Sequence, residues 1–556
     1  MVSEKKGHLL LVLIIMIVTF VGYSNTFHVP FIFDDIPSIV ESPHIRELGK
    51  FFTPDALKDR RYIGRLSFAI NYKLHDLNVM GYHLVNLSIH LVNTFILYLI
   101  VVLTFRTDAL RESKLDATAV AFFIAMLFGT HPLQTQAVTY IVQRFTSLTA
   151  LWYLLSVLMY IKWRLKHRGI FYAISIVSAV FAMKTKEIAF TLPVVLSLYE
   201  FVFFKGYIKR RILYLLPLLL TMCIIPLTLI GIDRPLGEII GDIDRATIVS
   251  RELSRPEYLF TEFRVIITYL RLLFFPVNQN LDYDYPVYHT FWEYEVVGSF
   301  FILFGLFCLG LLLLRSSGDM KLVGYGILWF FITLSVESSI IPIPDVIYEH
   351  RMYLPSVGVF IAVIVTVFRL LKRRWAVVVL IAVVLVLTGA TYARNRVWTD
   401  ELSFWKDVVS KSPRKARVHN NLGLMYTKRG MFEEAMKEYQ IAIRLRPNHA
   451  GTHYNLGNIY LYTGKLDNAI EEYKTAIKLE PNYIEAHTNL GVAYKKKGLL
   501  QKAAEEYLTV LSLKPDFAPA HYNLANVYLE MGEKEKALRH YHIANKLDPS
   551  LKIPAF

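Results

Sequence analysis

The stretch NLGLMYTKRGMFEEAMKEYQIAIRLRP, Asn421–Pro447, decides how the last quarter of this 556-residue chain folds. It is charged and carries a short helical period. The same frame returns every 34 residues: Asn421, Asn455, Asn489 and Asn523 correspond, as do Tyr426, Tyr460, Tyr494 and Tyr528. Gly430, Gly464, Gly498 and Gly532 keep step, and so do Ala435, Ala469, Ala503 and Ala537. Tyr439, Tyr473, Tyr507 and Tyr541 follow the same register, and Pro447, Pro481, Pro515 and Pro549 close the units. Small Gly and Ala positions let two helices approach, aromatics fill the gap, and proline stops the second helix.

A 34-residue period with these residues is the pattern of the tetratricopeptide repeat (TPR), two antiparallel helices per unit. Residues 416–556 read as four repeats, an α-solenoid. The register runs further back: Pro413 stands 34 residues before Pro447, and Trp405 the same distance before Tyr439. Residues 401–411 are therefore half a repeat, and 397–415 form a connector with almost no free linker. The array is expected to be held at a fixed angle to the membrane part. Such arrays present a concave surface to peptides or partner proteins. Two readings stand for the ladder Asn421, Asn455, Asn489 and Asn523. Each amide can bond the N–H and C=O of an extended acceptor polypeptide, or the four can bond between repeats.

Ahead of the repeats the composition changes. Hydrophobic residues make up 54% of the sequence and gather into long runs between Leu9 and Ala393. A hydrocarbon core of ~30 Å takes ~20 helical residues. The candidate spans are 8–24, 81–105, 117–130, 145–162, 170–184, 187–204, 211–231, 258–275, 295–314, 322–341, 353–371 and 375–393. Cys223 and Cys308 lie inside such runs and read as small buried hydrophobes, not as a disulfide or metal pair. The net charge of +15 sits largely in short loops, as a topology signal does, and no nucleic-acid motif accompanies it. Lys5 and Lys6 precede the run Leu9–Val21 without a small-residue cleavage site, so the first run reads as a retained signal-anchor.

The basic loops fix the expected sidedness. Lys5/Lys6, Lys162–Arg168, Lys205–Arg211 and Lys372–Arg374 should all be cytoplasmic. Counting all twelve segments as crossings puts the last of these on the wrong side. The weakest segment is 258–275, which carries Glu262, Arg264 and Arg271. Charges at membrane depth face a protein interior or a wet cavity, so this segment reads as re-entrant. About eleven spans remain, and residues 1–396 form one polytopic domain. The TPR array then lies outside the cytoplasm, beyond a prokaryotic cytoplasmic membrane or in the lumen of a eukaryotic endoplasmic reticulum.

On that outer side the polar residues converge. The first loop opens with Phe31-Ile32-Phe33-Asp34-Asp35, two adjacent carboxylates at a membrane boundary, followed by Arg60, Arg61 and Arg65. His83, Asn86 and His90 share one helix face at the top of the second span. His131-Pro132, Gln134, Gln136 and Arg144 follow the third span, Lys184-Thr185-Lys186-Glu187 the fifth, and Tyr348-Glu349-His350-Arg351 the tenth. Cations so placed can hold a lipid-linked phosphate, and a carboxylate can deprotonate an incoming hydroxyl.

These motifs, in order, are FDD, GYHLVNLSIH, HPLQTQAVTYIVQR, KTKE, LDYDYP and EHRMYLPS. With the TPR array they make the chain resemble the transmembrane and tetratricopeptide-repeat-containing O-mannosyltransferases and their prokaryotic relatives, of the GT-C glycosyltransferase fold. The resemblance implies an all-α enzyme that needs no metal or other cofactor. It would move a sugar, mannose by analogy, from a polyprenyl-phosphate donor to Ser/Thr hydroxyls of exported proteins, with inversion. It also implies that Asp34 is the base, although this chain has Asp-Asp where the wider fold often has Asp-Glu, so Asp35 stands beside it. Lys186 and Arg351 are the first candidates for the phosphate, Arg65 and Arg144 the next, and His83, His131 and Glu187 complete the substrate-binding set. A non-enzymatic membrane scaffold recruiting partners through the repeats is the competing class. It accounts for the TPR array but not for FDD with several basic clusters on one face.

Overall fold

The computed structural model describes residues 2–230, 253–339, 342–343 and 345–554. Among them every regular element is helical. The chain divides into two compact units, Met1–Glu401 and Leu402–Phe556. The half repeat thus folds with the array, and residues 397–401 with the first unit.

The first unit holds α1 (Val2–Tyr23), α2 (Tyr62–His75), α3 (Val79–Thr104), α4 (Ala117–Thr130), α5 (Thr135–Val138), α6 (Arg144–Lys166), α7 (Gly169–Met183) and α8 (Leu192–Phe203). It continues with α9 (Ile208–Leu220), α10 (Ile224–Ile230), α11 (Arg255–Phe274), α12 (Tyr294–Arg315), α13 (Met320–Leu334), α14 (Pro355–Leu370) and α15 (Arg373–Val397). Among the described residues six helical stretches are long and apolar enough to cross a bilayer, and α4 with Pro132–Val138 is an apolar pair bent by 51°, a seventh if the pair counts as one span. The shorter apolar helices α7, α8, α13 and α14 complete the bundle. Large apolar side chains stand exposed along α1, α12 and α15, among them Leu9, Phe301, Leu312, Leu385 and Val386. Such a surface is stable only against lipid.

Ion pairs and hydrogen bonds lace one end of the bundle together. Buried Glu200 takes Arg164 Nε at 2.8 Å and Arg211 Nε at 3.1 Å. Asp108 accepts from the Lys205 amide at 3.0 Å, Asp319 holds Ser113 and Arg369, and Arg373 reaches Asp116 at 2.6 Å. The loops around Lys162–Arg168, Lys205–Arg211 and Lys372–Arg374 therefore share one face, as the basic-loop rule requires.

α11 is not among the helices apolar enough to cross, and its two ends are held by loops. In its first turn Tyr258 donates to the Glu337 carbonyl at 3.0 Å. In its last, the Leu273 carbonyl accepts from His131 Nε2 at 2.9 Å. Glu337 and His131 both belong to loops at the end opposite the basic face, so α11 lies along the polar-loop layer. A capping box at Ser254 and Glu257 fixes its start.

In the second unit α16 (Glu401–Lys411) buries Phe404, Trp405 and Val408 and precedes four helix pairs. These are α17 (Ala416–Lys428) with α18 (Phe432–Leu445), α19 (Ala450–Tyr462) with α20 (Leu466–Leu479), α21 (Ile484–Lys496) with α22 (Leu500–Leu513), and α23 (Ala518–Glu530) with α24 (Lys534–Leu547). The register residues do what the period implies. A Cβ at Gly423, Gly457 or Gly491 would come within 2.7 to 2.8 Å of the Tyr439, Tyr473 or Tyr507 ring. Each of the first three pairs is also pinned by a buried histidine on a glutamate: His419 on Glu438, His453 on Glu472 and His487 on Glu506, all at 2.6 Å.

Candidate active site

The first loop leaves α1 and turns sharply at Phe33, whose φ of 52° lies in the left-handed region. A bulky side chain there costs of order 1–3 kcal/mol and persists only where surrounding bonds over-determine it. Three do so. Asp35 accepts from the Ile32 amide at 3.0 Å with one oxygen and from the Val142 amide at 2.7 Å with the other. The Asp34 amide donates to the Tyr140 hydroxyl at 2.9 Å. The two neighbouring carboxylates are thereby separated. Asp35 is fully buried, and burial pushes its carboxyl up to about 8 against the pull of the two amide bonds. Asp34 is half-buried beside Tyr140, which also bonds its side chain.

The segment that holds this loop also holds the first lysine of interest. Four residues beyond Val142, the Thr146 hydroxyl accepts from Lys186 Nζ at 3.1 Å. Lys186 is paired with Glu337 at 2.6 Å, both nearly buried. Arg351 is buried, donates to the Val346 and Asp345 carbonyls at 2.9 and 2.7 Å, and lies 3.6 Å from the buried Glu262 of α11. Glu187 holds Arg61 at 3.0 Å and Arg60 at 3.6 Å. His350, next to Arg351 in the chain, is 6% exposed, its ring stacked on Tyr348. Burial, then the Lys186, Arg351 and Arg61 charges, hold its pKa well below the ordinary histidine value, so it is neutral. Glu349 is turned away from this cluster. It is buried and takes the Gln279 side chain, the Asn280 amide and the Tyr283 hydroxyl, organising the LDYDYP loop.

Several sequence expectations change. Arg144 is not available to a phosphate: it is fully buried, and its guanidinium bonds Asn86, Asn71 and the Ser67 and Tyr82 carbonyls while stacking 4.4 Å from the Phe68 ring. His131 spends both ring nitrogens on the backbone of Leu133 and Leu273. His83 donates to the Val29 carbonyl and ties α3 to the first loop. Glu187 anchors two arginines, and Arg65 pairs with Asp59 at the surface. Lys186 and Arg351 keep their place beside one another's charges, but each has a carboxylate partner that sequence reading did not name. In the array, Asn455 donates to Asn420 of the preceding repeat, and Asn489 to Asn458 and Tyr454. Two rungs of the ladder thus bond between repeats. The Nδ2 of Asn421 is buried with no hydrogen-bond partner among the described residues. Glu337, a lone acidic residue at the end of an apolar run, was a visible signal that went unread.

The fold and these clusters define a polytopic membrane protein carrying a TPR array. The family profile described as TPR repeat matches residues 423–462, 457–498 and 493–532, and that described as tetratricopeptide repeat matches 518–551. Among curated proteins, a protein O-mannosyl-transferase of Caenorhabditis elegans is 25% identical over 447 residues, covering 77% of this chain and 61% of that protein. Protein O-mannosyl-transferase TMTC3 of Homo sapiens is 25% identical over 475 residues, covering 75% of this chain and 49% of that protein. The chain thus spans between half and three-fifths of the length of these relatives. Among solved structures, MamA is 25% identical with a TM-score of 0.26, covering 27% of this chain and 87% of MamA. With a multi-pass unit followed by TPR repeats, the chain fits the family of transmembrane and tetratricopeptide-repeat proteins that those O-mannosyl-transferases represent.

Proposed function

We propose that this protein is a GT-C type membrane O-mannosyltransferase that uses a polyprenyl-phosphate-linked mannose and acts on Ser/Thr hydroxyls of polypeptides. One observation carries the reading: a strained first loop keeps Asp34 half-exposed while burying its neighbour, in the loop layer that gathers Lys186, Arg351 and Arg61. The names of the relatives support mannose and a protein acceptor. In the proposed reaction Asp34 takes the proton of the acceptor hydroxyl as its oxygen attacks the anomeric carbon. The bond from that carbon to the phosphate oxygen breaks on the opposite face, and the phosphate leaves with the electron pair, steadied by the cations. Asp35 acts by holding the base, not by touching the acceptor. The TPR array presents the polypeptide. Collection of the basic loops on the face away from Asp34 supports an external site under the positive-inside rule.

The experiment is transfer of mannose from synthetic polyprenyl-phospho-mannose to a Ser/Thr-rich peptide by the full chain in nanodiscs. Asp34→Asn is expected to lower transfer by ~10²–10⁴, and full activity in that variant overturns the base assignment.

A further inference from the structure

We infer that Glu337, paired with Lys186, and His350, next to Arg351 in the chain, form a subsite that reads hydroxyl groups of the sugar next to the donor phosphate; this rests on the transferase reading above. Glu337 is 9% exposed. One of its oxygens takes the Lys186 ammonium, while Oε2 is buried and makes no hydrogen bond among the described residues. His350 is as deeply placed, and its Nδ1 likewise has no partner. A buried polar atom left unbonded costs ~1–3 kcal/mol, more when charged. Two such atoms, one on the carboxylate that holds Lys186 and one on the residue before Arg351, therefore mark where a ligand's polar atoms belong.

The chemistry of the pair narrows the ligand. An inorganic anion would satisfy Lys186 but bring no donor to the unbonded Glu337 oxygen, and an acyl chain would satisfy neither. A hydroxyl can donate to the Glu337 oxygen, and a second can bond the neutral imidazole of His350 as donor or acceptor. A neutral polyol joined to a phosphate meets all three groups, the phosphate on Lys186 and the hydroxyls on Glu337 and His350. The carboxylate also sets a filter: a donor carrying a uronic acid would place like charges together.

The test uses the full chain in nanodiscs and two ligands, bare polyprenyl phosphate and polyprenyl-phospho-mannose, with the monodeoxy analogues of the latter. Glu337→Gln should weaken the sugar-bearing lipid tenfold or more and leave the bare lipid within twofold, whereas Lys186→Ala should weaken both. One monodeoxy donor should bind wild type poorly and lose nothing further in Glu337→Gln. Equal weakening of both lipids by Glu337→Gln, or of neither, overturns the subsite. Should that variant not fold, the deoxy series on wild type decides: uniform binding of every analogue overturns it. Wild type that binds bare polyprenyl phosphate but gains nothing from the sugar sinks the subsite alone. Binding of neither lipid removes the transferase reading and the subsite with it.

Discussion

At the scale of single residues, the two carboxylates of the FDD motif separate into different jobs, and substitution should separate them too. Asp34→Asn is expected to leave folding unchanged and lower transfer by ~10²–10⁴, the usual contribution of a general base. Asp35→Asn turns an amide group toward the Ile32 or Val142 N–H and leaves one donor unmet, costing about 1–3 kcal/mol. It should lower the melting temperature measured in detergent; an unchanged melting curve would contradict the anchoring role. The pair itself was legible in the sequence, but its division was not. The deciding bond comes from Val142, 107 residues away, and no local pattern announces it. The same holds for Arg144. An arginine after a polar cluster looks available until the fold surrounds it with Asn71, Asn86 and two carbonyls.

At the scale of elements, α13 and α14 carry Glu337 and Arg351 just beyond their ends and cross at two glycines. A Cβ on Gly326 would lie 2.4 Å from the Gly358 carbonyl oxygen, and one on Gly358 2.2 Å from that of Gly326. Small residues at such crossings let membrane helices meet backbone to backbone. Gly358→Ala should push the pair apart at a cost of about 1–3 kcal/mol, read as a lower melting temperature with loss of transfer. In the array, the histidine pins predict a pH dependence. The glutamate bonds raise His453 and His487 above the ordinary 6.5 despite burial, and Glu438 raises His419 although burial opposes it more strongly than elsewhere. Protonation is favoured in the folded state, so this stability is complete below the unfolded value and fades as pH rises through the folded ones. The fourth pair has His540 where the others have glutamate, 2.9 Å from His521. Burial and His521 hold His540 below its ordinary value, so its contribution is lost as pH falls. Limited proteolysis of Leu402–Phe556 should open α23–α24 first at pH 5 and loosen the inner pairs at pH 8. Glu472→Gln with Glu506→Gln should flatten the response of the inner pairs. The helices of the array were legible from the period alone, because each repeat buries its own register residues. The His–Glu pins keep the same period, yet their partners stand 19 residues apart on different helices, and the helical pattern does not join them.

At the scale of the whole molecule, the helical membrane unit was readable from its apolar runs, and the charges of α11 set that helix apart from the candidate spans. The structure gives the physical reason, a helix bonded at both ends to one loop layer. Cysteines placed singly at Lys209 and Arg374, in a background lacking Cys223 and Cys308, should react with an impermeant thiol reagent from one side, and one at Asp55 from the other. Labelling of Arg374 and Asp55 positions from a common side would overturn eleven crossings. What composition could not convey is that the crossings differ in height. The lipid-facing α12 and α15 have 22 and 25 residues, about 33 Å and more at 1.5 Å per residue, whereas the interior α8, α13 and α14 have 12, 15 and 16. With their basic ends laced at one level, these three stop roughly 10 Å short of α12 and α15, whereas the buried α3 and α6 run to 26 and 23 residues. Above α8, α13 and α14 the polar loops therefore begin at a lower level than the ends of α12 and α15. A phosphate anchored at headgroup depth reaches that lower level by bending inward, without its acyl tail leaving the hydrocarbon. Bilayer thickness then becomes a determinant of turnover: longer-chain lipids would bury the ends of α12 and α15, and shorter ones would bring the water surface down to the lower loops.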